Sequence, residues 1–194
     1  MRNYQLTAQM NEREPRDLDT HETKIKGLLT KKGVKIPKKQ DADELASRGY
    51  GTREEDEFFL TLCESLYLLD KAVLEVEDKK GGKTDFRTIL QHYESVDENA
   101  WVEYLVYRDL RSRGYVVREG FGAGVDFRVY ERGEYSKDTA KYLILNIQEG
   151  KPVSLENLNN TLQQCQSLKK ELILAAMNRR GEIVYYSVSQ LTFA

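Results

Sequence analysis

Two largely apolar runs, KYLILNI at 141–147 and ELILAAM at 171–177, restrict this chain more than any other feature. Each falls well short of the roughly 18 residues a membrane helix needs. Neither alternates polar with apolar residues as a half-exposed strand would, so both read as buried strands. Between them SLENLNNTLQQCQSLKK, 154–170, opens on the capping signature Ser154 to Asn157 and continues as a polar-faced helix. Upstream, WVEYLVYRDLRSRG places Trp101, Tyr104, Leu105 and Leu110 on one helical stripe and ends at Gly114, where a C-cap glycine belongs. YVVREG and DFRVYER are extended, parted by the glycine-dense FGAG. After ELILAAM, NRRG is a turn, and in EIVYYSVSQLTF residues Ile183, Tyr185 and Ser187 alternate against Val184, Tyr186 and Val188. Helix, strands, helix and two strands make a compact mixed α/β domain.

The first half follows similar rules with weaker signals. Residues 1–20 are polar, charged and without apolar period, and read as a flexible arm. From His21 to Lys39, short apolar runs broken by Gly33 and Pro37 suit a small sheet or hairpin. EEDEFFLTLCESLYLL, 54–69, sets Phe58, Leu62, Leu66 and Leu69 on one face behind an acidic first turn, which predicts an amphipathic helix over the whole segment. AVLEVE is a strand, DKKGGK a turn, and TDFRTILQHYESV a helix. The polar stretch Ser95 to Asn99 interrupts the apolar period and marks a boundary. The expected organisation is therefore an arm at 1–20, a small N-terminal α/β domain at 21–97 and a second domain at 98–194.

Composition removes several classes of function. The formal charge of −2 gives the molecule no general attraction for nucleic acid, so any RNA contact needs a local basic patch. Candidates are Arg108, Arg111, Arg113, Arg118, Arg128 and Arg132, then Lys169, Lys170, Arg179 and Arg180; taken singly, each equally suits a solvated face. The two cysteines, Cys63 and Cys165, lie in helical apolar patterns without a neighbouring Cys or His at ligand spacing, and read as small buried hydrophobes. No metal or other cofactor is expected. MRNYQLTAQMNEREPRD has no apolar signal core, and the expected location is cytoplasmic, away from membranes.

ESLYLLDKAVLEV, YRDLRSRGYVVREG, DFRVY, AKYLI and SLKKELILA, in that order and spacing, resemble the archaeal-type tRNA-splicing endonucleases over roughly residues 45–190. The resemblance implies a small N-terminal α/β domain followed by a restriction-endonuclease-like nuclease domain, an α+β subunit. It also implies homo- or hetero-oligomers assembled through the C-terminal strand, here IVYYSVSQL. An apolar terminal strand is an exposed edge until something pairs with it, which independently favours an oligomer.

The implied reaction is metal-independent cleavage of precursor tRNA at bulge-helix-bulge junctions, leaving a 2′,3′-cyclic phosphate and a 5′-hydroxyl. Such a step needs a base for the 2′-hydroxyl, an acid for the leaving oxygen and a cation at the phosphate. The family uses Tyr, His and Lys. Matching DFRVY puts the Tyr at Tyr130, matching SLKKELILA puts the Lys at Lys170, and the His position is Thr139. A threonine hydroxyl hydrogen-bonds a phosphate but is no substitute for an imidazolium acid. The only histidines, His21 and His92, match no family position. The loop that in active members carries Lys-Phe-Gly reads Gly122, Ala123, Gly124. The two arginines that clasp a flipped base correspond to Lys169 and Ser187, neither of which has a guanidinium plane to stack. Arg128 is a further RNA-contact candidate.

By residue type alone, Tyr130 at a strand end also suits packing, and Lys170 also suits a helix-terminal charge. Three functions stay open: a catalytic subunit with altered acid chemistry, a structural subunit that positions RNA for an active partner, and a nuclease fold reused for binding. The loop that in the family is acidic and enters a partner's basic pocket is NRRGE here, so a different partner surface is expected.

Overall fold

The structure, a computed structural model, describes residues 24–122, 124–135 and 139–191. The expected arm at 1–20 and His21 lie outside the described residues. The described chain forms two compact units, 24–108 and 109–191, and each is treated by itself.

The first unit opens with the hairpin β1 (Ile25–Thr30) and β2 (Gly33–Lys35), as the breakers predict. Gly33 holds φ 133, and a Cβ there would fall 2.2 Å from the Leu60 carbonyl oxygen, so only glycine lets the next strand approach. Then follow α1 (Lys39–Ser47), β3 (Thr52–Glu54), β4 (Glu57–Leu60), α2 (Leu62–Asp70), β5 (Leu74–Glu77), β6 (Lys83–Thr84) and α3 (Phe86–Glu94). The six strands order as β3-β4-β2-β1-β5-β6, with β1 parallel to β5. Ile25, Val34, Leu60, Leu66, Leu68 and Ile89 are buried between sheet and helices.

One expectation is corrected here. Residues 54–69 are not one helix: the segment turns at Glu55 (φ 54), continues as β4 and becomes helical only after Thr61. Phe58 and Leu60 are buried while Glu57 is exposed, an alternation that the helical spacing of Phe58 and Leu62 had masked. Thr61 fixes the true start with a reciprocal capping box, its hydroxyl accepting from the Glu64 amide while the Glu64 carboxylate accepts from the Thr61 amide. Helix α1 was not anticipated at all. Its only buried residues are Ala42 and Leu45, too few to set a period.

α4 (Ala100–Ser112) carries the division between the units. Within the first unit Tyr104 packs edge-on to Phe86 at 5.1 Å and Tyr107 to Tyr67 at 5.8 Å. Gly114, φ 84, closes the helix in a Schellman arrangement: its amide donates to Arg111 and that of Tyr115 to Leu110.

The second unit is a five-stranded sheet ordered β11-β10-β9-β8-β7. Its strands are β7 (Val116–Glu119), β8 (Phe127–Tyr130), β9 (Tyr142–Gln148), β10 (Glu171–Met177) and β11 (Ile183–Val188). α5 (Leu155–Ser167), capped by Ser154, joins β9 to its parallel neighbour β10. Leu143 and Leu172 pack with Val125 and with Cys165 of α5 on one face. The other face meets the end of α4, where Tyr185 of β11 donates to Asp109 at 2.7 Å. Cys63 and Cys165 are both buried thiols, not joined in a disulfide.

Candidate active site

Three residues singled out by the resemblance come to one end of the five-stranded sheet. Tyr130 is the last residue of β8, Thr139 lies just before β9, and Lys170 lies between α5 and β10. β9 and β10 are parallel and β8 runs antiparallel to them, so the end of β8 and the starts of the other two coincide. The register makes this concrete. Tyr142 pairs with Val129 on one side and with Glu171 on the other.

Lys170 owes its place to the way α5 ends. The Lys169 amide donates to Gln166 and the Lys170 amide to Cys165, both at 2.9 Å, completing a Schellman motif with Lys169 in the left-handed region at φ 56. A lysine there carries a strain of about 1 kcal/mol that glycine would not. From this position the Lys170 ammonium donates to the Thr139 hydroxyl. Tyr130 is half-buried, its ring edge-on to Tyr135 at 5.0 Å.

The RNA-contact candidates are placed less uniformly. Lys169 is exposed beside Lys170. Ser187 is exposed at the same end of the sheet, but it pairs with Ile173 and so faces the side opposite to Lys170, which shares its face with Leu172. Arg128 shares the face of Tyr130 two residues along β8. Its Nε donates to the Glu119 carbonyl at 2.8 Å and its guanidinium covers the Phe121 ring at 5.3 Å. The loop whose aligned positions lack a cation and an aromatic thus has a cation–aromatic pair built from Phe121 and Arg128. Among the other basic candidates, Arg113 is tied to Asp109 at 2.8 Å, Arg132 lies over Tyr115 and Arg108 over Tyr104.

A second polar cluster borders the site and was not foreseen. Glu131 accepts from the Lys141 ammonium at 2.7 Å and from the Tyr142 hydroxyl at 3.1 Å. The Lys141 hydrogen bond, then that of Tyr142, holds the Glu131 carboxyl below its usual range, and Glu131 in turn raises Lys141 above its own. In the sequence Lys141 and Tyr142 stand only as the start of the strand KYLILNI and as part of AKYLI, and Glu131 only as the end of a strand. Nothing in local spacing says that they converge.

A tyrosine side chain acting as phenolate, a hydroxyl and ammonium groups at the open end of a sheet can abstract a proton, orient an oxyanion and neutralise charge on phosphorus. Such a set suits an α+β domain that acts on phosphodiesters. The family model for the tRNA intron endonuclease catalytic C-terminal domain matches residues 100–185, and that for the N-terminal domain matches residues 25–90. The tRNA-splicing endonuclease of Methanococcus vannielii is 32% identical over 167 residues, 86% of this chain and 94% of that protein. That of Pyrococcus horikoshii is 32% identical over 147 residues, 76% and 84% respectively. A longer relative from Methanosarcina acetivorans is 32% identical over 152 residues, which is 77% of this chain and 42% of that protein. This chain belongs to the tRNA-splicing endonuclease family, and an endonuclease role follows from its catalytic domain. Among the described residues no helix is long and apolar enough to cross a membrane.

Proposed function

We propose that this chain is a cytoplasmic subunit of an oligomeric endonuclease that cuts precursor tRNA at bulge-helix-bulge junctions without a metal ion. The observation that carries the reading is the Lys170 ammonium on the Thr139 hydroxyl, at the sheet end where Tyr130 also lies. Tyr130, as its phenolate, takes the proton of the 2′-hydroxyl, the 2′-oxygen attacks phosphorus, and the bond to the 5′-oxygen breaks. The products are a 2′,3′-cyclic phosphate and a 5′-hydroxyl. Lys170 supplies the positive charge that the crowded phosphate requires. Thr139 holds Lys170 in place, and the proton for the leaving oxygen comes from water or from a partner subunit.

Assembly through β11 is supported by its edge position, with Val184 and Tyr186 48% and 52% exposed. The hairpin tip carries Arg179 and Arg180, both exposed, and suits an acidic rather than a basic pocket. Thr139 itself favours a second reading, a structural subunit that completes the assembly for an active partner, because a hydroxyl is no acid near neutral pH.

Cleavage of a bulge-helix-bulge RNA in chelator separates the two. The catalytic reading expects cutting with a cyclic phosphate, its loss in Lys170→Ala, and a gain of about a hundredfold in Thr139→His, the usual scale for a positioned acid. An inert chain that Thr139→His does not rescue would leave the structural reading.

A further inference from the structure

Tyr142 pairs with Val129 and with Glu171, so the next row outward across the three strands runs Tyr130, Lys141, Lys170. Two backbone hydrogen bonds hold that row: the Lys141 amide donates to Val129 at 3.0 Å, and the Glu171 amide to Lys141 at 3.1 Å. Neighbouring strands are about 5 Å apart, and residues in one row point to the same face. The Lys141 backbone therefore sits midway between those of Tyr130 and Lys170, while its ammonium turns away from them to Glu131 and the Tyr142 ring. It also lies two residues along the chain from Thr139, on which Lys170 is anchored.

Its surroundings resemble a holster more than a structural ion pair. Lys141 and Glu131 are 46% and 45% exposed, so the pair itself adds little to stability. The carboxylate is shared between the Lys141 ammonium and the Tyr142 hydroxyl, and the ammonium lies 5.1 Å from the Tyr142 ring centroid. An ammonium has three donors, of which Glu131 and the Tyr142 hydroxyl engage two. The third can meet an oxygen arriving on the open side.

We propose that Lys141 is a second phosphate-binding cation of this site, parked on Glu131 in the free protein and contacting the RNA phosphate between Tyr130 and Lys170 when substrate is bound. This rests on the functional reading above and adds a residue to it. A phosphate midway along the row would meet ammonium groups from two adjacent strands, which compensates for a cation absent from the loop at Gly122.

The test is binding rather than cleavage. The probe is a bulge-helix-bulge RNA with 2′-deoxy nucleotides at both junctions, which binds but has no attacking hydroxyl. Affinity is measured from low to moderate salt for the full chain, Lys141→Met, Lys141→Arg and Lys26→Met. Lys26, which neighbours Glu77 in the first unit, controls for general loss of charge. One lost phosphate contact should weaken binding about three- to tenfold at low salt and flatten the slope of log affinity against log salt by about 0.7 to 0.9. Lys141→Arg should restore the slope, and Lys26→Met should leave it in place. A structural role would move thermal stability but not the slope. An unchanged slope in Lys141→Met, or equal loss in Lys26→Met, overturns the inference while RNA binding by the unaltered chain keeps the functional reading. If the unaltered chain does not bind the probe, the functional reading falls and the inference falls with it.

Discussion

Two glutamates, one in each unit, show how the same side chain comes to serve structure or chemistry. Glu64 is 2% exposed, and its carboxylate accepts backbone amides from Gly51 at 3.1 Å and Thr61 at 2.9 Å, joining the start of α2 to the turn before β3. Its partners are backbone amides, fixed in place by the fold. Glu131 is 45% exposed and its partners are side chains, free to exchange it for another anion. A buried carboxylate bonded to backbone is committed to the fold, because leaving its partners bare is expensive. An exposed one bonded to mobile groups is a temporary occupant. The first unit repeats the closed design in the Cys63, Tyr93 and Glu103 chain, where the thiol donates to the phenol at 3.6 Å and the phenol to the carboxylate. The second unit sets the Glu131 cluster at the sheet end, where a ligand can reach it.

The sharpest break in that comparison would come from Lys170→Ala. It should cut the cleavage rate by about a hundred- to a thousandfold, the scale for loss of one charge-stabilising donor, while leaving the thermal midpoint nearly unchanged. A large drop in the midpoint instead would mean that the sheet end is structural. Glu64→Ala should do the reverse, lowering unfolding free energy by about 1–3 kcal/mol in urea titrations because a buried amide and a part-buried one lose their acceptor. Glu131→Ala, by contrast, should change stability by less than about 0.5 kcal/mol. If the two alanine variants cost the same, burial is not what separates these carboxylates.

A smaller effect should appear in alkali. Burial first, and then the hydrogen bond to Asp109, raises the Tyr185 phenol above its ordinary value. The sign follows from linkage: the folded state holds this proton more tightly, so the contribution is complete below the unfolded value of about 10 and declines as pH rises past it. Stability should therefore fall more steeply between pH 9 and about 11 in the unaltered protein than in Tyr185→Phe, as read from denaturant midpoints. Parallel curves would show that Tyr185 gains nothing from its partner.

The elements most legible in the sequence are those whose signals are local. Ser154 and Gly114 mark helix ends through a side-chain cap and a left-handed turn, and both stand where the chain places them. The ends of α2 and α5 lack that mark, since Ala72 and Lys169 occupy the left-handed position instead of glycine. The segment 54–69 misled because two apolar residues of a strand continue at the spacing of the helix that follows. At the site, the resemblance pointed to Tyr130, Thr139 and Lys170 as separate positions on a line.

What the sequence determined by itself was the run of elements in the second unit and the chemical groups available, since apolar period, capping residues and matched motifs are read within a dozen residues. The tertiary structure alone decided which of those groups meet. Strand order and register are set by pairing between segments up to dozens of residues apart, and a shift of one position would turn each side chain to the other face. Lys141 became part of the row between Tyr130 and Lys170, and Ser187 fell on the opposite face, for that reason alone.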